Sequence, residues 1–266
     1  MKKNIILWLG TVIITFLAGY MHNIIGPDYP VSGTIGVEGK MLTFKFDKKY
    51  RGNDNYNVFV RSDVNDIKAF LLWKNVSAND YSGSPLNNKI SPIWQRQLMT
   101  DSGSIILGKI PPHNPGERVT YRVELNYNGK QYFLPEDKPV VIMFLGHVNP
   151  GIMQIFYFVL FGGLIFAVRT GLETFNDKPR LGLYSIFTLI FFFLYTICVV
   201  PLKRTYELNA LNHFVPQINS LITYQSISLF LLWIIGLTLI FNFRGNKIIP
   251  LVISSLTLII YIFIHY

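Results

Sequence analysis

The chain has 266 residues, half of them hydrophobic and 15% charged, with a formal net charge of +9. A soluble domain carries about a quarter charged residues, so this composition excludes an ordinary one-core or two-core soluble protein and places the chain in the membrane class. The positive charge is no nucleic-acid signal: residues 24–148 hold 15 Lys and Arg against 12 Asp and Glu, and most of the surplus sits in short loops between apolar stretches.

The first element is the apolar run Ile5–Met21, preceded by Lys2 and Lys3. A hydrocarbon core ~30 Å thick needs ~20 mostly apolar helical residues, so this run reads as a membrane segment. A cleaved secretory signal would carry small residues at the last and third-last positions before its cleavage site. Ending at Ala18 puts Phe16 third from last and ending at Gly19 puts Leu17 there, so an uncleaved anchor over residues 1–23 is expected.

Residues 24–148 predict an all-β domain. Lys40–Phe46, Tyr56–Val60 and Val119–Leu125 alternate polar and apolar side chains as half-buried strands do, and Lys68–Trp73 is a β-rich apolar run. Asn128-Gly129, between Val119–Tyr127 and Gln131–Leu134, accepts the positive φ angles of a two-residue hairpin turn. Pro111, Pro112, Pro115 and Gly116 form a rigid connection before that hairpin, and Pro135 and Pro139 break the pattern after it. Short strands spaced by turns over ~100 residues, with no helical period between them, predict an antiparallel two-sheet sandwich of immunoglobulin or fibronectin-III type. Trp73, Trp94, Phe44, Phe59, Phe70 and Tyr121 are the expected inward aromatics. Asn75–Pro92 reads as a polar surface loop, with a weak glycosylation sequon at Asn75-Val76-Ser77. The only cysteine, Cys198, lies in an apolar stretch, which excludes an intramolecular disulfide and any Cys-based zinc motif.

Residues 149–266 predict four further membrane helices, Ile152–Val168, Leu181–Val200, Ile218–Phe243 and Ile248–Ile264, joined by short loops into an antiparallel bundle. Lys and Arg in short loops stay on the cytoplasmic side. With the N-terminus inside, Lys2, Lys3, Arg169, Lys178, Arg180, Arg244 and Lys247 are cytoplasmic and only Lys203 and Arg204 lie outside; the inverse placement reverses that ratio of seven to two. The expected location is a bacterial inner membrane, crossed five times, with the β domain exported and Tyr266 at the outer face. The predicted helices carry no charge in their central turns, which argues against a pump or proton-coupled carrier.

Asn219, Thr223 and Ser226 follow at spacings of four and three on one face of the fourth helix, a pattern that suits interhelical hydrogen bonds or, alternatively, the path of a transporter or channel subunit. Gly162-Gly163 predicts a close helix contact. Arg169 and Glu173, four residues apart, are expected to form an exposed pair worth at most about 0.5 kcal/mol, in a charged helix end with Asp177, Lys178 and Arg180.

His22, His147, His213 and His265 all fall at outer ends of predicted helices. Imidazole is the commonest side-chain metal ligand, so a metal ion or a haem held there, with Met21, Met153 or Glu207 as further ligands, is one reading. The other is that histidine suits the headgroup level without any ligand, since no pair shows tight ligand spacing. His113, in the Pro-rich turn, reads as a solvated loop residue. A phosphate-binding glycine loop, a nucleophile elbow and a His-Glu-x-x-His helix are all absent from the sequence, and no enzymatic activity is expected.

Three stretches, Lys109–Val123 (KIPPHNPGERVTYRV), Pro139–Val148 (PVVIMFLGHV) and Ala167–Thr174 (AVRTGLET), resemble an uncharacterised family of bacterial five-helix membrane proteins with an exported immunoglobulin-like β domain. In that family the β domain leads into a helix ending in an Arg-x-Gly-Leu-Glu motif, matched here by Arg169, Gly171 and Glu173. The family's Trp- and Gly-rich outer loop has no counterpart in Lys203–Gln217. The resemblance implies an architecture and carries no activity. The function expected is that of a non-enzymatic accessory protein, whose β domain binds a protein or envelope ligand while the helices contact membrane lipid and pack with a partner complex.

Overall fold

In the computed structural model, which describes residues 2–26, 28–62, 67–76, 93–208, 221–243 and 245–264, the chain divides into a strand unit and a helical unit. Alternating side chains in the first half produce strands β1 (Val31–Val37), β2 (Lys40–Phe46), β3 (Lys49–Arg51), β4 (Tyr56–Ser62), β5 (Lys68–Asn75), β6 (Gln95–Leu98), β7 (Thr100–Asp101), β8 (Ile105–Ile110), β9 (Arg118–Tyr127), β10 (Lys130–Leu134) and β11 (Val140–Leu145). One sheet has the order β1-β2-β4-β8-β7; the other runs β3-β11-β9-β5-β6, with β10 also on β9. All pairs are antiparallel except β3 with β11, which run parallel from Lys49 opposite Met143 to Arg51 opposite Leu145. That pair departs from the purely antiparallel expectation, because β3 follows β2 directly yet leaves its sheet.

Two tight hairpins set the registers. Asn128 and Gly129 have φ angles of 48° and 76°, and Tyr127 faces Lys130 across the turn. Glu38 and Gly39, at 47° and 84°, turn β1 into β2 in the same way. Both inner faces then meet in one core, with Leu42, Phe46, Val58, Val60, Ile106 and Ile110 from the first sheet and Leu71, Tyr121, Val123, Leu125, Ile142 and Phe144 from the second.

Of the expected inward aromatics, Trp73 and Tyr121 are buried, while Phe44, Phe70 and Trp94 are partly covered. Phe59 is the exception, at 49% exposure. Its strand puts Tyr56, Val58 and Val60 inside, so the pleat turns Phe59 outward. Phe44 lies over Gly33, directly opposite it on β1, where a Cβ would come within 2.9 Å of the ring. In the core the Tyr56 and Tyr121 hydroxyls meet at 3.2 Å, and Tyr121 donates to the Asp47 carbonyl at 3.0 Å. Burial pushes the pKa of both phenols up.

The helical unit contains α1 (Lys2–Ile25), α2 (Pro150–Glu173), α3 (Leu181–Glu207), α4 (Tyr224–Asn242) and α5 (Ile248–Phe263). Helices α1 to α4 are each long and apolar enough to cross a membrane; α5 has 16 residues, short of the ~20 a span needs. Asn149 opens α2 by accepting from the Gly151 amide at 2.8 Å, ahead of Pro150, whose missing N–H is no loss in a first turn. Helix α3 does not stop at Val200. It widens into a π-helical segment over Tyr195–Val199 and continues to Glu207, which makes Lys203, Arg204 and Glu207 helical rather than part of an outer loop. Pro201 is the physical reason: it has no N–H to give, and its ring would crowd the carbonyl of Ile197 in a regular turn.

Helix α2 packs against α1, α3 and α5, and α4 packs against α3 and α5. Small residues allow the approach. A Cβ on Gly162 would lie 2.4 Å from the Phe191 ring, one on Gly163 2.8 Å from Phe192, and one on Gly171 2.6 Å from Ser254. Three buried hydroxyls are satisfied within their own helices: Thr15 donates to Thr11, Ser185 to Leu181 and Thr188 to Tyr184, each four residues back at 2.8 Å.

Candidate functional site

Arg169 and Glu173 share a face of the last turns of α2, as an i, i+4 spacing requires. The structure corrects the expectation of an exposed pair. Their side chains are 0% and 1% exposed, with Nη2 2.5 Å from Oε2. The same Nη2 donates to Asn4 Oδ1 of α1 at 2.6 Å. The guanidinium lies 5.2 Å from the ring centres of both Trp8 and Tyr184, so residues of α1, α2 and α3 enclose it. Glu173 accepts from the Asn176 side chain at 2.9 Å and from the Arg180 amide at 3.1 Å. Arg169 Nε and Nη1 have no hydrogen-bond partner among the described residues. Chemically the cluster is a closed charge clamp: it has no nucleophile, and the cation and anion are spent on each other. The sequence spacing pointed to the pair; its burial depends on α1, whose Asn4 and Trp8 carry no signal that they face it.

Among the described residues, the other predicted residues are not brought together. Thr223 is not on a helical face with Ser226 but caps α4, which begins six residues later than expected. Its Oγ1 accepts from the Ser226 amide at 3.2 Å, and Ser226 Oγ donates to the Thr223 carbonyl at 2.8 Å. Asn219 lies outside the described residues. Beside them, Gln225 donates to the Tyr261 carbonyl at 3.0 Å and Thr196 to the Ser226 carbonyl at 2.9 Å, so this polar region is internally bonded.

The histidine reading is split in the same way. His22 stacks on Tyr261 with ring centres 4.5 Å apart, and its Nδ1 is 2.7 Å from that residue's carbonyl. His147 is exposed, and His213 and His265 lie outside the described residues. Among the described residues no group of three or more potential metal ligands comes together. Glu207, which belongs to the strand unit by its contacts, is bound by Arg51 of that same unit at 2.7 Å. His113 is not a free loop residue: its ring packs on Phe144 at 4.8 Å, Nδ1 donates to the Pro111 carbonyl at 2.7 Å, and Nε2 meets the Asn75 side chain at 2.9 Å.

What sequence reasoning missed is the outer surface of the strand unit. On the first sheet, Phe59, Ile105, Lys45, Arg61 and one acid, Asp47, line an open concavity of about 610 Å³. Neither cation has an ion-pair partner among the described residues. The signal was present in Tyr56–Ser62, where three inward residues at even positions force Phe59 and Arg61 out. On the second sheet, Arg96 lies 3.6 Å from the Phe70 ring and Arg122 4.1 Å from Phe133. Arg96 also pairs with Glu124 at 2.7 Å.

No protein-family model matches the chain, and no curated protein is similar to it.

Proposed function

We propose that this is a multi-pass membrane protein of accessory type, with its N-terminus in the cytoplasm and an exported immunoglobulin-type domain that recruits an envelope protein. The strand order supports the domain reading: β2-β4-β8-β7 follows the A-B-E-D order and β11-β9-β5 the G-F-C order of that fold, with buried Trp73 on the C-strand equivalent. The seven-to-two distribution of cations between the two ends of the predicted helices supports the orientation.

The observation that carries the recruiting role is the concavity on the first sheet. Phe59 is 49% and Ile105 38% exposed between Lys45 and Arg61, neither of which has an ion-pair partner among the described residues. Exposed apolar side chains rimmed by charge mark interaction surfaces, and two cations against the single carboxylate of Asp47 select an acidic partner. The helices hold the domain at the membrane, and their buried polar groups serve packing. The test is affinity recovery of the full chain after extraction in mild detergent, for the native sequence and for a Phe59→Glu, Arg61→Glu variant. A stoichiometric partner is expected with the first and its loss with the second. Recovery of a lone chain across several detergents would overturn the reading.

A further inference from the structure

The start of α1, the turn after α2 and the start of α5 border an open pocket of about 660 Å³ whose lining has two chemistries. Lys3, Asn176 and Lys247 supply a polar, cationic side; Phe175, Ile248 and Leu251 supply an apolar one. These three apolar side chains are 56%, 68% and 39% exposed. The one acid in the lining, Asp177, takes the Lys3 ammonium at 2.7 Å. A single carboxylate cannot neutralise two ammonium groups. Lys2, Lys178 and Arg180 add cations at the same helix ends, whereas Glu173 is consumed by Arg169. Lys3 and, more weakly, Lys247 hold the Asp177 carboxyl below the usual carboxylate range, as expected where positive charge is in excess.

We propose that this pocket binds the headgroup of an anionic phospholipid, its phosphate held by Lys3 and Lys247 and its acyl chains laid along Phe175, Ile248 and Leu251. A free phosphate would satisfy the cations and leave the apolar wall in water, and a zwitterionic lipid would bring its own ammonium to the lysines. Only an anionic amphiphile matches both sides. The inference rests on the membrane reading given above, though not on the recruiting role of the strand unit.

The test uses the full chain in a neutral detergent, with bound lipid counted by mass spectrometry of the intact complex and thermal stability followed in parallel. Phosphatidylglycerol, phosphatidylcholine and inorganic phosphate are the probes. Retention of phosphatidylglycerol over phosphatidylcholine by at least tenfold is expected, with thermal stabilisation by phosphatidylglycerol and none by inorganic phosphate. The Lys3→Gln, Lys247→Gln variant should lose the preference while keeping its helical circular dichroism, and Phe175→Ser should weaken binding with both lysines in place. Equal retention of the two lipids, the same stabilisation by inorganic phosphate, or an unchanged preference in the double-Gln variant would overturn the proposal. A chain that fractionates with membranes yet shows no lipid preference would sink the pocket and spare the membrane reading; a chain absent from the membrane fraction would sink both.

Discussion

At the scale of single residues, the buried Arg169–Glu173 pair is the feature on which stability depends most sharply. Desolvating two charges is offset only while each has its partner, and removing one side of a buried pair costs about 3–5 kcal/mol. Arg169→Ala should therefore lower the melting temperature of the detergent-solubilised chain far more than Lys3→Ala, whose partner Asp177 is 83% exposed. Replacing both members of the buried pair by Met should recover most of the loss; equal damage from the single and double variants would show that the charge itself is not the issue. A second residue-scale effect concerns Glu124. Burial alone would raise its pKa, but hydrogen bonds from Arg96 and Asn126 and the Arg96 charge outweigh that and hold it below the usual range. Because the unfolded chain then binds more protons in acid, the stabilisation is complete above the ordinary carboxylate value of about 4.3 and is lost as pH falls through the lower folded value. Urea unfolding midpoints should decline on acidification, and less steeply in Glu124→Gln. The sequence made the Arg169 and Glu173 spacing legible but not its burial, since that depends on Asn4 and Trp8, some 160 residues away.

For the secondary-structure elements, turn chemistry and pleat were readable and helix ends were not. The Asn128-Gly129 turn follows from residue type alone, because few side chains accept φ near 76°. Gly129→Ala should cost about 1 kcal/mol in strain. Gly36→Ala, on a strand with open space around the added methyl, should be near neutral, so a denaturant titration of the two separates conformational strain from crowding. In α2, Gly162→Ala drives a methyl to within 2.4 Å of Phe191 and should destabilise the helical unit through packing. The boundaries that sequence misjudged have local causes. Pro201 resembles a terminator, yet the π-helical segment before it absorbs the missing hydrogen bond and lets α3 run on. Thr223 looks like one more polar helix residue until its extended φ and ψ, −101° and 146°, make it a cap.

For the whole molecule, composition disclosed the membrane class and the alternating pattern disclosed the strands, while the exposed face around Phe59 and Arg61 could only emerge once the sheets existed. Orientation is open to direct measurement. With a membrane-impermeant maleimide on intact cells, a cysteine at Lys130, in the β9–β10 turn, should be labelled, and one at Lys178 should react only after permeabilisation. The reverse pattern would invert the topology. The order of the segments along the chain adds a constraint of timing. The strand unit is inserted between α1 and α2, and α1 packs against α2 and α5, the latter roughly two hundred residues downstream. At ~5–20 residues per second of synthesis, α1 waits on the order of ten to forty seconds for that last neighbour. Its buried hydroxyls suit the wait: Thr11 and Thr15 bond to the carbonyls of Leu7 and Thr11 within the same helix, so the nascent segment can remain in lipid without exposing either group before the rest of the protein has been made.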